Sequence, residues 1–155
     1  MEGAVIVMVP NEQYVTSTID PHVTLAYFGK AEDLQPWEIE IMKNIASDIA
    51  QMSPRWATKP KASGRGYFHL DPMYSDGNKF AYIDLIDWNV FPKAREEIET
   101  RAGFSVNRGH GFIPHMTIAY STEFIGELVK PTHMQVFEWA SVDVWLGDER
   151  FSYPV

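Results

Sequence analysis

The chain has 155 residues, a length typical of one compact domain that buries roughly 68 to 70% of its unfolded surface. Hydrophobic residues make up 45% of it and charged residues 22%, which excludes a disordered chain, a coiled coil and a collagen-like repeat. Its 13 basic and 21 acidic residues give a net charge of −8. That charge disfavours partners such as long nucleic acids and acidic membranes, because binding them requires many phosphate contacts.

The absence of cysteine excludes a disulfide framework, a zinc ribbon, an iron–sulfur cluster and thiol catalysis. No secretory leader is recognisable, because Glu2 stands where a basic segment is expected. The apolar run of residues 4–9 is far shorter than the about 20 residues of a membrane-spanning helix. We therefore expect a single cytoplasmic domain over residues 1–155.

The first part of the chain predicts two strands and then a helix. Residues 4–9 form a continuous apolar run before Pro10, and residues 22–28 are bounded by proline and glycine. From Pro36 the apolar residues recur every three or four positions, which predicts the first helix. Its apolar stripe consists of Ile41, Ile45, Ile49 and Met52.

The rest of the chain predicts five more strands and a second helix. The helix should end at Gly103, and its apolar stripe consists of Phe91, Ala94, Ile98 and Ala102. The strands are predicted over residues 66–70, 80–86, 115–120, 134–140 and 142–146. Because strands and helices do not alternate strictly, the pattern favours an α+β fold with largely antiparallel sheets over a doubly wound parallel sheet.

One hexapeptide occurs twice, on the second and fifth predicted strands. HVTLAY (residues 22–27) returns as HMTIAY (residues 115–120), with identical residues at four of the six positions. Because side chains alternate along a strand, the His, Thr and Ala of each copy should share one face, and the other three residues should face the core. Tyr27 and Tyr120 are therefore predicted to be packing residues.

The polar residues of the two copies are typical of chemistry at a phosphodiester. One imidazole, at His22 or His115, can take a proton from the attacking oxygen while the other gives one to the leaving oxygen. The hydroxyls of Thr24 and Thr117 can bind the non-bridging oxygens, so that no metal is needed. A lone His-x-Thr is usually structural, but packing alone would not preserve the polar face in two copies.

The paired strands, the second of them preceded by FIP (residues 112–114), resemble the 2H phosphoesterase superfamily, also called LigT-like or 2′-5′ RNA ligase-like. The resemblance covers most of the chain in element order. It implies a bilobal α+β fold, with two mostly antiparallel sheets facing each other across a central cleft and about two helices outside. It also implies that His22 and His115 are the catalytic pair, that Thr24 and Thr117 contact the phosphate, and that no cofactor or metal takes part.

The resemblance also implies a range of substrates. Members of the superfamily process 2′,3′-cyclic phosphates, 2′-5′-linked oligonucleotides, ADP-ribose cyclic phosphate or, in phage members of the anti-CBASS type, cyclic oligonucleotide messengers. We expect a small nucleotide or short oligonucleotide here, with cyclic messengers or 2′-5′-linked oligonucleotides preferred. Two alternatives stay open: RNA-end processing or 2′-5′ ligation, and nucleotide binding without turnover. The sequence leaves open which histidine is the base.

A basic segment and a glycine-flanked loop are further candidates for substrate binding. Lys59 and Arg65 belong to a stretch without acidic residues that also contains Trp56, where cations can attract phosphates and an indole can stack on a base. Arg108 and His110 lie in the loop before the second histidine strand. The alternatives are a solvated surface loop with Trp56 in the core, and a glycine-flanked loop that is merely mobile.

The last residues, 145–155, combine aromatic and charged groups. They fit either a packed terminus, which we expect, or a lid over the cleft. No His, Asp or Glu spacing typical of a metal site is present in the sequence.

Overall fold

The computed structural model describes residues 3–11, 20–52, 58–103, 112–130 and 135–155. Over these ranges the chain forms two α-helices and eight strands. The helices are α1 (Pro36–Met52) and α2 (Phe91–Ala102). The strands are β1 (Gly3–Pro10), β2 (Val23–Lys30), β3 (Lys61–His69), β4 (Phe80–Asp87), β5 (His115–Ser121), β6 (Gln135–Val136), β7 (Trp139–Leu146) and β8 (Glu149–Pro154).

The strands make two four-stranded sheets in which every pair is antiparallel. The terminal sheet has the order β2-β1-β7-β8 and the central sheet the order β5-β4-β3-β6. Helix α1 packs against β7, β8 and α2, and α2 also contacts β2. The main core lies between the helices and the terminal sheet, where Ile6, Met8, Ile45 and Ile98 are fully buried. The predicted α+β fold with two antiparallel sheets is confirmed.

The C-terminal residues form a further strand, which the sequence did not predict, so that the described residues contain eight strands where about seven were expected. Strand β8 pairs with β7 along its whole length and closes the edge of the terminal sheet. Its Phe151 and Tyr153 pack against the core. The segment is therefore a packed terminus, as expected, and the lid alternative is wrong. Neither helix in the described ranges has the length and apolar character of a membrane span.

The predicted break at residue 141 is also wrong, because β7 continues through it. The chain instead leaves β6 and enters β7 around Phe137, which is buried and whose N–H donates to the Pro60 carbonyl at 3.1 Å. There the chain crosses from the central sheet to the terminal sheet. Met134, the predicted first residue of that strand, lies outside the described residues.

Within its hexapeptide, strand β2 has one more residue than the segment of β1 that pairs with it. Thr24 pairs with Val7 and Ala26 with Ile6, so that Leu25 is an extra residue between the two pairs. An extra residue of this kind is a β-bulge, and it reverses the alternation of faces beyond it. Ala26 is 3% exposed and belongs to the main core, together with Leu25.

Strand β5 has the same irregularity at the same position of its hexapeptide. Thr117 pairs with Ile83 and Ala119 with Tyr82, which makes Ile118 the extra residue. In both copies the tyrosine therefore returns to the face of the threonine. The prediction that Tyr120 is a packing residue is wrong, because strict alternation does not hold across a bulge. Tyr27 is half-buried and packs against the cluster of Val5, Val7 and Trp145, on the face opposite the main core. Tyr120 is 56% exposed.

The register of β5 predicts stability effects of very different size for two of its residues. Tyr120→Ala should change the free energy of unfolding by less than about 0.5 kcal/mol, because an exposed side chain is removed. Met116→Ala should lower it by about 2 to 5 kcal/mol, because it leaves a cavity in the core. Urea unfolding of the two variants measures both values. Equal losses would show that Tyr120 points into the core.

Candidate active site

The two hexapeptides meet across the interface between the sheets. β2 and β5 are edge strands of the terminal and central sheets, respectively, and they contact each other. A cavity of about 550 Å³ lies between them, within the 300 to 1,000 Å³ usual for ligand pockets. Its lining includes Thr24, Tyr27, Phe68, Arg95, Phe112 and His115. The structure therefore brings residues of both copies to one cavity.

The same hydrogen bond holds each imidazole. The Nδ1–H of His22 donates to the Asp20 carbonyl at 2.8 Å, and the Nδ1–H of His115 donates to the Ile113 carbonyl at 2.6 Å. A carbonyl oxygen only accepts hydrogen bonds, so the proton of each neutral imidazole resides on Nδ1. Nε2 is then left with its lone pair, and each ring can accept or, when charged, donate a proton there.

The repeat extends one residue further than the hexapeptide. Pro21 and Pro114 each stand between the histidine and the residue whose carbonyl it contacts. Each imidazole also meets an aromatic ring edge-on, at 4.5 Å between centroids for His22 and Trp145 and 5.0 Å for His115 and Phe68. The hydrogen bond and the ring contact together restrict each imidazole to one orientation.

Burial lowers the pKa of His22 below its ordinary value of 6.5. Repulsion from the imidazolium form of His115 and from the Arg150 guanidinium acts in the same direction, while the hydrogen bond to the Asp20 carbonyl opposes it. Burial has the largest effect because it removes water from the charged form of the ring. A lowered pKa favours the neutral imidazole at neutral pH, and that form can accept a proton.

Thr117 shares the face of His115, since the two pair with Ile83 and Leu85, which lie two residues apart on β4. Thr24 lines the cavity itself. Of the four predicted catalytic residues, Thr24 and His115 line this cavity, whereas His22 and Thr117 do not. His22 lies near enough to His115 for the charge of that ring to lower its pKa.

Arg95 is a cation of this cavity that sequence patterns did not identify. From helix α2 its Nη1 donates to the carbonyl of Leu25, the extra residue of β2, at 2.6 Å. The guanidinium also lies over the Phe112 ring at 4.7 Å and contacts Glu99 at 3.3 Å. Arg95 appears in sequence as one of several charged residues on a helix, and only packing brings it to the cavity.

Two of the predicted substrate-binding residues lie outside the cavity and form ion pairs elsewhere. Arg65 forms an ion pair with Asp84 at 2.9 Å, and Lys59 pairs with Glu138 at 3.1 Å. Neither lines the cavity. Arg65 points to the side of the central sheet opposite His115, because the cleft side of β3 is occupied by Gly64, Gly66 and Phe68.

The other three predicted substrate-binding residues, Trp56, Arg108 and His110, lie outside the described residues. Within the described ranges, no group of three His, Asp or Glu side chains is arranged to hold a metal ion.

Comparisons with known proteins reveal similarity in structure only. No protein-family model and no curated protein matches the sequence. The chain is similar to TT0787 of Thermus thermophilus, with 14% identity and a TM-score of 0.60 over 97% of both chains. It is also similar to E. coli LigT complexed with NADP+, with 12% identity and a TM-score of 0.51 over 99% of this chain and 95% of LigT.

The chain thus shares the fold of TT0787 and LigT, with two antiparallel sheets whose His-x-Thr strands contact each other. The resemblance drawn from the two hexapeptides is confirmed at the level of the fold.

We expect His22 to titrate below pH 6.5 in the folded protein, because burial disfavours its charged form. The unfolded chain then binds more protons than the folded chain. His22 therefore contributes stability that is present above about pH 6.5 and is lost as the pH falls through the folded pKa. A ¹⁵N NMR titration of the imidazoles measures the pKa directly. A value at or above 6.5 would contradict the burial argument.

Proposed function

We propose that the protein is a metal-independent phosphodiesterase that hydrolyses a phosphodiester of a small nucleotide or short oligonucleotide. One observation carries the proposal: two imidazoles, each held through Nδ1–H by a backbone carbonyl, leave their Nε2 atoms available at the junction of β2 and β5. General acid–base catalysis requires this pairing of a proton acceptor with a proton donor.

His22 is the base in this proposal, because its lowered pKa favours the neutral imidazole at neutral pH. For a 2′,3′-cyclic phosphate, Nε2 of His22 takes a proton from water while the water oxygen bonds to phosphorus. The bond from phosphorus to one ribose oxygen breaks, and the Nε2–H of His115 protonates that oxygen. Thr24 and Thr117 donate hydrogen bonds to the non-bridging oxygens, where negative charge increases in the transition state.

A 3′-5′ linkage with a free 2′-hydroxyl can use the same groups. His22 then takes the proton of the 2′-hydroxyl, whose oxygen attacks phosphorus. The 5′-oxygen leaves with a proton from His115. The product is a 2′,3′-cyclic phosphate, which the hydrolytic step opens.

The size and lining of the cavity support a small substrate. About 550 Å³ accommodates a nucleotide or dinucleotide, and Tyr27, Phe68 and Phe112 provide aromatic surface for a base. LigT, whose fold this chain shares, has been solved with the dinucleotide NADP+. The net charge of −8 opposes binding of a long polyanion, whereas a substrate with few phosphates avoids most of that repulsion.

Within this class we propose cyclic oligonucleotide messengers or 2′-5′-linked oligonucleotides as the substrates. The choice between them and other small nucleotides rests on analogy with the superfamily, including its anti-CBASS members.

We expect cyclic di- and trinucleotides and 2′-5′-linked dinucleotides to be cleaved with higher kcat/KM than a tRNA-sized RNA ending in a 2′,3′-cyclic phosphate. The physical reason is the repulsion between a long polyanion and an acidic protein. Incubation with this panel, followed by chromatography of the products, measures the preference. A clear preference for the long RNA would favour RNA-end processing, and binding without product would favour a nucleotide-binding protein.

Substitution of the two histidines provides the control for that panel. His22→Ala and His115→Ala should each lower turnover by roughly 100-fold to 10,000-fold, the range for one general acid or base. The double variant should lose less than the product of the two losses, because the two groups act in one step. Melting temperatures check that the fold is retained. Undiminished turnover in His22→Ala would overturn the proposal.

Activity should persist in excess EDTA, because imidazoles and hydroxyls supply both proton transfers and the contacts to the phosphate oxygens. Dialysis against the chelator followed by the same assay tests this expectation. Loss of activity that a divalent ion restores would assign a step to a metal.

A further inference from the structure

The loop that precedes β2 is tied to the last strand of the chain. Asp20 has a left-handed backbone, with φ 56°, an uncommon conformation that Asp tolerates better than most residues. Its carboxylate accepts a hydrogen bond from Nη2 of Arg150 at 3.0 Å. Its carbonyl accepts the Nδ1–H of His22. One residue therefore connects Arg150 to the imidazole.

Arg150 is also connected to the His22 imidazole through the indole of Trp145. It pairs with Trp145 between β8 and β7, and its guanidinium lies over the indole at 4.1 Å. The indole meets the His22 ring edge-on. Its Nε1–H donates to the buried carboxylate of Asp143 at 2.9 Å, which fixes the plane of the indole. The contacts close a ring from His22 through Asp20, Arg150 and Trp145 back to His22.

The contacts that hold the imidazole of His115 are different. The residue that accepts its Nδ1–H is Ile113, which has no carboxylate to pair with a cation. Its aromatic neighbour is Phe68, which has no N–H to fix the ring plane. The two copies share the imidazole hydrogen bond, but among the described residues an ion pair to a distant strand is found only at the first copy, where Asp20 contacts Arg150.

We propose that Arg150 is a positioning residue, which holds the Asp20 carbonyl and the Trp145 indole so that the His22 imidazole keeps its Nε2 directed to the cleft. This role rests on the proposed function, in which His22 accepts a proton. It also gives the C-terminal strand a part in the site, although that strand contributes no group to the proposed chemistry.

The charged groups around His22 determine the direction of the pH effect. They are the Arg150 guanidinium and the carboxylates of Asp20 and Asp143 within the ring of contacts, and His115 across the cleft. Arg150 lowers the pKa of His22, and Asp20 raises it. Removal of the Arg150 cation should therefore raise the pKa of His22, which moves the acid limb of kcat/KM to higher pH.

The test compares Arg150→Ala, Arg150→Lys, Asp20→Asn and the double variant Asp20→Asn/Arg150→Ala. Arg150→Ala should lower kcat by up to about 100-fold, the cost of a small misplacement at a reacting centre. KM should change by less than about twofold, because no substrate contact is removed. The double variant should be no slower than Arg150→Ala, since that substitution already removes the contact with the Asp20 carboxylate. Arg150→Lys should recover part of kcat.

Arg101→Ala serves as the matched control. Arg101 is another ion-paired arginine, but its partners Asp48 and Glu97 lie on the two helices. This variant should leave kcat and the His22 titration unchanged.

NMR titration of His22 without substrate keeps the positioning role testable even if the proposed reaction is wrong. In Arg150→Ala the imidazole should titrate at higher pH than in the parent protein. An unchanged titration would overturn the proposal. A raised KM with unchanged kcat would also overturn it, and would instead identify Arg150 as a substrate contact.

Discussion

One extra residue within each hexapeptide determines which side chains share the face of the threonine. Without Leu25 and Ile118, strict alternation would place the tyrosine of each hexapeptide on the face opposite the threonine. The bulge places two consecutive apolar residues toward buried surroundings and returns the tyrosine to the face of the threonine. Arg95 binds the bulged carbonyl of β2, so that helix α2 stabilises the irregularity.

The two imidazoles have the same hydrogen bond but different surroundings. Both donate Nδ1–H to a carbonyl two residues upstream, which presents Nε2 in each case. His22 is additionally enclosed by an indole, an ion pair and the opposite imidazole, and its pKa is lowered. A pair of groups with different environments can divide the roles of base and acid, and here the difference arises from β7 and β8.

The charges of the site differ from the charge of the whole molecule. The protein has a net charge of −8, yet arginines lie at the cavity and beside His22. Both are engaged, Arg95 with a carbonyl and Glu99, and Arg150 with Asp20. Cations engaged in this way are held in fixed positions, so that the site has the preorganisation on which electrostatic stabilisation of a transition state depends. A long polyanion would still meet the acidic surface outside the cleft.

The sequence by itself determined the fold class, the positions of both helices and the two His-x-Thr strands, because local periodicity and a repeated motif are visible along the chain. It could not determine the faces of Tyr27 and Tyr120, because a bulge depends on the register with a neighbouring strand. It also missed Arg95 and Arg150. It predicted a substrate contact for Arg65, whose side chain points to the side of the central sheet opposite the cleft, where it pairs with Asp84. Those outcomes were decided by tertiary structure, since contacts between residues distant in sequence arise only when the sheets and helices pack together.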